Sequence, residues 1–490
     1  MNPAQPRSPA PRAARLRAFR RAMLPALLAL AGCAAVGPDY RSPEPPLAPT
    51  YANRVAHAGR TVELVRWWEG FGDAPLAALI DEAQRASPGV GQAVARVQQA
   101  RAALVASGAQ RIPQLGLQAG ASRGTQFFFT QAGPTILPAT VLQAGLDASW
   151  EIDLFGRILR GQQAAAAQAE SAERAWHDAR ATLAAEVARS YVQTRACGAR
   201  REAFARQTES VREALRLDEL RVAAGRIAET DAAQTRASLA ETRARVADAE
   251  ARCAAAEAQL AELTELDVAG VRARLAALPT AIPRFAGTVG EALPADLLRQ
   301  RPDVAAAERR LAAASARIGE AQAAQYPSLS ITGALTANRL SALGTSFEYR
   351  SWSIAPGLRL PLLDGRRRRA QVEQRQAEYD EAYHAYRAQI ARAVSEAETA
   401  LGQLAAAQGR VEATEDAVRQ YGASFAAEQA RNQAGRSSTV ELERQRRALL
   451  TAEAIAVDAR ETLEVGWVTL YKALGGGWEA GAMDAAARAP

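Results

Sequence analysis

Three histidines and three cysteines are the side chains of this 490-residue sequence that are best suited to chemistry. His57, His177 and His384 lie far apart, and none has a second metal-ligating residue at a spacing typical of a metal site. There is no nucleophile elbow or phosphate-binding loop. Catalysis needs titratable groups that converge in one pocket. The sequence therefore predicts no catalytic residue, no metal site and no cofactor, and a protein that is not an enzyme.

Two of the cysteines lie symmetrically about a predicted turn. Cys197 precedes Gly225 by as many residues as Cys253 follows it. In an antiparallel helical hairpin that turns at Gly225, the two thiols would lie at the same height. We predict a disulfide that braces the two helices, in an oxidising compartment where such bridges persist. Two buried free thiols are the alternative.

The third cysteine, Cys33, follows an export signal. Residues 1–32 contain several arginines and no acid, and the apolar run 22–31 is too short to span a bilayer. Leu30-Ala31-Gly32-Cys33 resembles a bacterial lipobox, in which the cysteine is acylated (palmitate) and becomes the N-terminus; an ordinary signal peptide is the alternative. Ala34 follows in place of Asp, which by resemblance to lipoprotein sorting signals favours the outer membrane. We predict a signal peptide over 1–32 and a lipid-anchored, Pro-rich linker over 33–60.

The overall charge does not indicate a nucleic-acid partner. Most of the formal net charge of +7 comes from arginines in the export signal, which is removed.

Two long segments without proline predict unusually long helices. Residues 156–225 and 365–435 are rich in Ala, Arg, Glu and Gln, which favour helix. At ~1.5 Å per residue each would reach ~100 Å. Each segment ends at an Ala-Gly-Arg turn, at Gly225 and at Gly435, and a further helix follows. The chain therefore contains two helical hairpins of coiled-coil character.

Four segments with alternating apolar and polar residues predict β-strands. They are residues 114–122, 142–152, 328–338 and 351–360, and Phe127, Phe128 and Phe129 are expected in a loop between the first two. The landmarks Pro88, Pro113, Gly156 and Gly225 recur as Pro302, Pro327, Gly365 and Gly435 at nearly constant offset. This indicates two tandem structural repeats, 61–290 and 291–474, with a flexible C-terminal tail over 475–490.

Strands with one apolar face are typical of a membrane barrel. They are long enough to cross a bilayer when tilted, but four strands cannot close a barrel, and an open edge in lipid would leave backbone groups unsatisfied. We therefore predict an α+β membrane protein: a trimeric 12-stranded β-barrel, four strands per chain, continued by a long α-helical periplasmic barrel. A periplasmic β-sandwich is the alternative.

Several motifs resemble the outer-membrane efflux protein family, the TolC-like channel-tunnels, and most of all its lipoprotein branch of NodT or OprM type. They are, in chain order, Cys33 in its lipobox, Trp67-Trp68 with Phe71-Gly72-Asp73, Trp150 to Arg157, and Leu297-Leu298-Arg299-Gln300-Arg301-Pro302-Asp303 continuing to Tyr326-Pro327. Together they cover essentially the mature chain.

The resemblance implies a homotrimer in the outer membrane that extends into the periplasm. It would be the passive exit duct of a tripartite efflux pump for drugs and other small molecules, a contributor to antibiotic resistance. Its partners would be a periplasmic adaptor (a membrane fusion protein), an inner-membrane transporter of RND type and outer-membrane lipid. A duct for type I secretion or a non-RND pump is the alternative, and a periplasmic coiled-coil adaptor is a further one.

The resemblance also implies that the hairpin turns dock the adaptor. The residues expected there are Gly225, Arg226, Thr230, Asp231, Gly435, Arg436, Ser437 and Ser438. The family usually places an acid and a tyrosine before the second glycine, in a closed gate; here Glu428 and Arg431 are the nearest candidates. The run Arg366–Arg369 is interpreted either as solvated charge or as a contact with phospholipid headgroups.

Overall fold

The computed structural model describes residues 35–44, 51–53, 60–61, 64–130, 133–278, 281–288 and 301–477. Its helices and strands run in the following order: β1 (Arg60–Thr61), a 3₁₀ turn (Leu64–Phe71), α1 (Ala74–Ala86), α2 (Pro88–Ala109), β2 (Gln114–Thr130), β3 (Gly133–Ile152), α3 (Arg157–Ala223), α4 (Glu229–Thr264), α5 (Val268–Ala276), β4 (Gly287–Thr288), α6 (Pro302–Ala323), β5 (Ser328–Ala342), β6 (Thr345–Arg359), α7 (Arg367–Gln433) and α8 (Thr439–Ala473).

The two long helices agree with the sequence prediction to within two residues at each end. α3 and α7 each contain 67 residues, which corresponds to ~100 Å. A glycine with positive φ precedes each helix, Gly156 at +80° and Gly365 at +62°. Glycine tolerates this conformation, which redirects the chain from a strand into a helix. The order helix, two strands, long helix, helix occurs twice along the chain.

A four-stranded antiparallel sheet forms the centre of one compact unit (99–170 and 309–384, with the segment that ends at residue 43). Its strand order is β2-β3-β5-β6, so β3 of the first half pairs with β5 of the second, for example Leu146 with Leu335. β2 and β6 are left as the two edges. Every residue of β6 is exposed, including Trp352 at 77% and Ile354 at 71%. The sheet therefore has large apolar side chains that no residue described in the structure covers.

The three consecutive phenylalanines correct one sequence prediction. Phe127, Phe128 and Phe129 lie within β2, paired with residues 134–136 of β3, and not in a loop. Phe127 and Phe129 point to the same face with their rings 5.1 Å apart and edge to face. Aromatic residues favour strands, and pairs on one face stabilise a hairpin. The alternation is interrupted because Phe128 is apolar on the opposite face, which is why periodicity alone ended the strand too early.

An aromatic cluster forms the core of the second compact unit (44–98, 171–308 and 385–490). Trp67 is fully buried and stacks on Phe285 at 4.7 Å, and Phe285 lies 4.7 Å from Trp467. β1 pairs with β4 in parallel beside it. Glu464 of α8 accepts a hydrogen bond of 2.8 Å from the backbone N–H of Phe285. The segment 281–288 is thus fixed against α8 by stacking and by one buried carboxylate.

The last described residues also differ from the prediction. Gly475 and Gly476 are buried and end α8, with φ of +100° and +71°. The N–H of Gly476 donates to the carbonyl of Tyr471, and that of Gly475 to the carbonyl of Lys472. This is a Schellman cap, which requires a left-handed residue. Residues 475–477 are therefore part of the packed unit, and 478–490 lie outside the described residues.

Among the residues described, no helix is both long enough and apolar enough to cross a membrane. The same residues contain no group of three or more His, Cys, Asp or Glu side chains that could hold a metal ion.

Candidate functional site

The first hairpin turn is built by a helix cap and a helix start that the local sequence specifies. Gly225, at φ +69°, donates to the carbonyl of Val222, and Arg226 donates to that of Arg221. These two bonds form a Schellman motif, which needs glycine at the left-handed position. The carboxylate of Asp231 then accepts from the N–H of Ala228 at 3.3 Å and caps the start of α4. Asp231 therefore has a structural role.

The second turn repeats the same geometry. Gly435, at φ +72°, donates to the carbonyl of Asn432, and Arg436 donates to that of Arg431. Ser438 caps α8 by accepting from the N–H of Glu441 at 3.2 Å. The two turns lie at corresponding positions in the sequence and have the same backbone hydrogen bonds. Each hairpin therefore ends in a tip of the same defined geometry.

The residues predicted to dock a partner are mostly accessible. Six of the eight are exposed, and Asp231 and Ser437 are half-buried; the exposed ones are Gly225, Arg226, Thr230, Gly435, Arg436 and Ser438. Leu220 at 57% and Val440 at 42% are apolar and exposed beside them. Each tip therefore presents one arginine, small polar groups and an aliphatic side chain.

A buried polar cluster behind the tips was not predicted from the sequence. Asp218 of α3 is 1% exposed and accepts hydrogen bonds from Thr235 of α4 at 2.9 Å and from Thr439 of α8 at 3.1 Å. Arg221 donates to the side chain of Asn432 on α7 at 3.3 Å. These bonds connect the two hairpins of one chain. The residues that form these bonds are polar and lie on long helices, where polar residues are ordinarily exposed to solvent.

A buried ion pair lies further along the same helices. Glu443 is 0% exposed and pairs with Arg446, while Ser238 of α4 donates to its other oxygen at 3.2 Å. Burial raises the pKa of Glu443 above its usual value, and burial lowers the pKa of Arg446. Removing either partner would leave a charge without compensation in the helical core.

The predicted gate residues lie together, but on a single helix. Arg431 donates to Glu428 at 3.4 Å, one turn apart on α7. Glu428 is buried, and its second oxygen has no hydrogen-bond partner among the described residues, whereas the Arg431 side chain is 63% exposed. This pair does not link one helix to another, because both residues lie on α7. Bonds that link the two hairpins come instead from Asp218, Arg221 and Ser238, and also from Arg200 of α3, which pairs with Asp458 and Glu461 of α8.

Cys197 and Cys253 form a disulfide between α3 and α4, with their Cα atoms 5.4 Å apart. Both residues are buried, at 3% and 4% exposure. His177 is buried against Trp176, and burial lowers its pKa to about 4, so it is neutral near pH 7.

The residue predicted to be acylated, Cys33, lies outside the described residues, but the segment after it has a defined place. The N–H of Val36 donates to the carbonyl of Phe155 at 3.0 Å. Arg160 donates to the carbonyls of Val36 and Gly37, each at 3.1 Å, and forms an ion pair with Asp39 at 2.9 Å. The start of the described chain is therefore held where β3 ends and α3 begins.

The sequence model of the outer membrane efflux protein family matches residues 79–264 and 293–476. The chain belongs to the outer membrane efflux protein family. Each match covers one set of helix, two strands and helical hairpin, so both halves have the family's features.

Similar proteins support this assignment over nearly the full length. Outer membrane protein OprJ of Pseudomonas aeruginosa is 31% identical, over 92% of this chain and 94% of its own length. Nodulation protein T of Rhizobium leguminosarum bv. viciae is 28% identical, over 95% of both chains. The solved outer-membrane channel OprN is similar with a TM-score of 0.77 and 30% identity, over 90% of this chain and 99% of the other. The fold is that of an outer-membrane efflux channel.

Proposed function

We propose that this protein is the outer-membrane exit duct of a tripartite efflux pump that exports small molecules. The observation that carries the proposal is the sheet, in which both edges are open and apolar side chains are exposed on β6. Unpaired strand edges are not tolerated in lipid. Three chains that pair β6 of one with β2 of the next would give a closed barrel of about 12 strands, wide enough for water.

Lipid anchoring is part of the same proposal. Ala35 packs against Gly156, which has room for no side chain because an added Cβ would lie 2.6 Å from that of Ala35. Cys33 precedes Ala35 by two residues in the sequence. An acyl chain on Cys33 would enter the membrane beside the end of β3. The position of the proposed anchor therefore agrees with a barrel whose β3 ends at the membrane surface.

The hairpin tips are proposed to dock a periplasmic adaptor that connects the duct to an inner-membrane transporter, such as one of RND type. Rigid turns with exposed arginines at Arg226 and Arg436 suit acidic or polar partner groups. The polar bonds of Asp218 and Arg221 behind the tips hold the hairpins in one arrangement. Arginine-to-glutamate changes at both tips should abolish export while trimer formation is retained.

The proposal is tested by fractionation of membranes followed by mass measurement of the detergent-extracted protein. We expect an acylated trimer in the outer membrane, unheated samples that migrate as a trimer, and restored dye efflux in a strain that lacks its own duct. The variant Cys33→Ser controls for the anchor and should lose the acyl mass. A soluble monomer in the periplasm would refute the duct.

A further inference from the structure

The two strand-to-helix junctions of the sheet differ in a way that indicates a lipid site at the second. When Gly156 is aligned with Gly365 in the sequence, Arg157 corresponds to Arg366. In the first junction Arg157 forms two hydrogen bonds with Glu151, at 2.9 and 3.0 Å, and Asp153 accepts from the N–H of Leu159 at 2.8 Å. The charges there are compensated within the chain.

At the second junction leucines replace both of these acids. Leu360 occupies the place of Glu151, and Leu362 that of Asp153. Leu360, Leu362 and Leu363 are 51%, 86% and 96% exposed. Three exposed leucines in four residues are unusual on a surface that only water covers.

Positive charge at this junction exceeds the negative charge. Arg368 pairs with Asp364 and Arg369 with Glu373, each at 3.1 Å. Arg359, Arg366 and Arg367 form no ion pair with any residue that the structure describes, and all three are exposed. The helix dipole of α7 does not compensate positive charge at its own start. In the isolated chain these exposed arginines are hydrated, and they are available to an anionic group outside the chain.

We propose that this junction, residues 359–367, binds the headgroup of an anionic phospholipid at the periplasmic face of the outer membrane. The arginines would bind the phosphate, since guanidinium groups match phosphate oxygens in geometry. The leucines would enter the acyl boundary beside the end of β6, as apolar residues of interfacial segments do. The site rests on the proposed function, because it requires the sheet to lie in the membrane.

The experiment uses the full-length purified protein in detergent and two lipids with identical acyl chains, dimyristoyl phosphatidylglycerol and dimyristoyl phosphatidylcholine. Native mass spectrometry gives the lipid bound per trimer at each concentration. We expect the anionic lipid to bind at about 10- to 30-fold lower concentration than the zwitterionic one, since each interfacial arginine contributes roughly fivefold. Added salt should reduce the difference.

Two variants test the site from opposite sides. Arg366→Gln/Arg367→Gln removes the charges, and Leu360→Glu/Leu362→Asp gives the junction the acids of the first one while every arginine is kept. Both should abolish the preference for the anionic lipid. Arg375→Gln/Arg419→Gln is the matched control, since it makes the same charge change at arginines of α7 that pair with Glu378 and Asp416, and should keep the preference.

Equal binding of the two lipids by the unaltered protein would overturn the proposal, as would a preference that survives both variants. If Arg366→Gln/Arg367→Gln weakened the trimer equally in both lipids, the arginines would contact a neighbouring subunit, and the lipid site would be wrong. Trimer mass and membrane fraction are recorded on the same samples. A trimeric outer-membrane protein without lipid preference would leave the proposed duct intact, whereas a soluble monomer would refute the duct itself.

Discussion

Removal of the bridge between Cys197 and Cys253 should loosen the first hairpin and leave the second unchanged. The bridge closes a segment with a sequence separation of 56 residues. The chain-entropy relation gives about 4 kcal/mol for a closed loop of this length. Alanine is the suitable replacement because both residues are buried, at 3% and 4% exposure, and a serine would bury a hydroxyl group.

The second hairpin is an internal control. Ala407 and Leu463 occupy the corresponding positions of α7 and α8 and are buried without a bridge. Hydrogen exchange followed by mass spectrometry should show faster opening of residues 198–252 in the Cys197→Ala/Cys253→Ala variant, by at most about 1,000-fold. Peptides from residues 408–462 should exchange as before.

Two results would refute this reasoning. Intact mass or thiol labelling that finds two free thiols in protein from the periplasmic side would show that the bridge does not form. Unchanged exchange in residues 198–252 of the variant would show that packing between α3 and α4 alone fixes the hairpin.

Three further predictions concern buried charges and use thermal unfolding of detergent-solubilised protein. Burial raises the pKa of Glu464 from 4.5 to about 7. Between these pH values the folded state binds a proton that the unfolded state has lost, so the stability of the protein falls as pH rises through this window. Relative to the unaltered protein, Glu464→Gln should be neutral at pH 4 and stabilising at pH 8, by up to about 3 kcal/mol. Glu443→Ala should cost about 3–5 kcal/mol, because it leaves Arg446 buried and unpaired, whereas Glu209→Ala in an exposed pair should change little. Arg301→Lys should lower the midpoint, because Arg301 is 4% exposed and binds two carboxylates and a carbonyl at once. A stability difference between Glu464→Gln and the unaltered protein that does not change with pH would contradict the first prediction. Equal losses for Glu443→Ala and Glu209→Ala would contradict the second, and an unchanged midpoint for Arg301→Lys would contradict the third.

The sequence was most informative where single residue types determine the backbone. Pro88 and Pro302 each begin a helix, and Gly225 and Gly435 each end one, so these boundaries could be predicted from proline and glycine geometry alone. The strand segments were also recognisable, because apolar and polar residues alternate along each of them. The outer ends of the first two strands could not be recognised, because Phe127–Phe129 break the alternation while still pairing across the hairpin.

The polar cluster behind the tips could not be predicted for a different reason. Long helices rich in alanine have small side chains on every face, so the sequence does not mark which face is buried. In the sequence Asp218 and Glu443 resemble the solvated acids around them, yet they are 1% and 0% exposed in the folded chain. Burial of these acids depends on the relative rotation of the helices, which a single sequence does not encode locally.

The order of strands in the sheet has a genetic consequence. Because β3 and β5 pair within the chain, its two edges, β2 and β6, are different surfaces. In the proposed trimer, subunits therefore join head to tail, with β6 of one beside β2 of the next, and the ring closes when every edge has found its opposite. A subunit with one disabled edge would still join a neighbour through the other and would block closure. In a cell that makes equal amounts of normal and disabled chains, only about one in eight rings of three would be complete, so such an allele would be dominant.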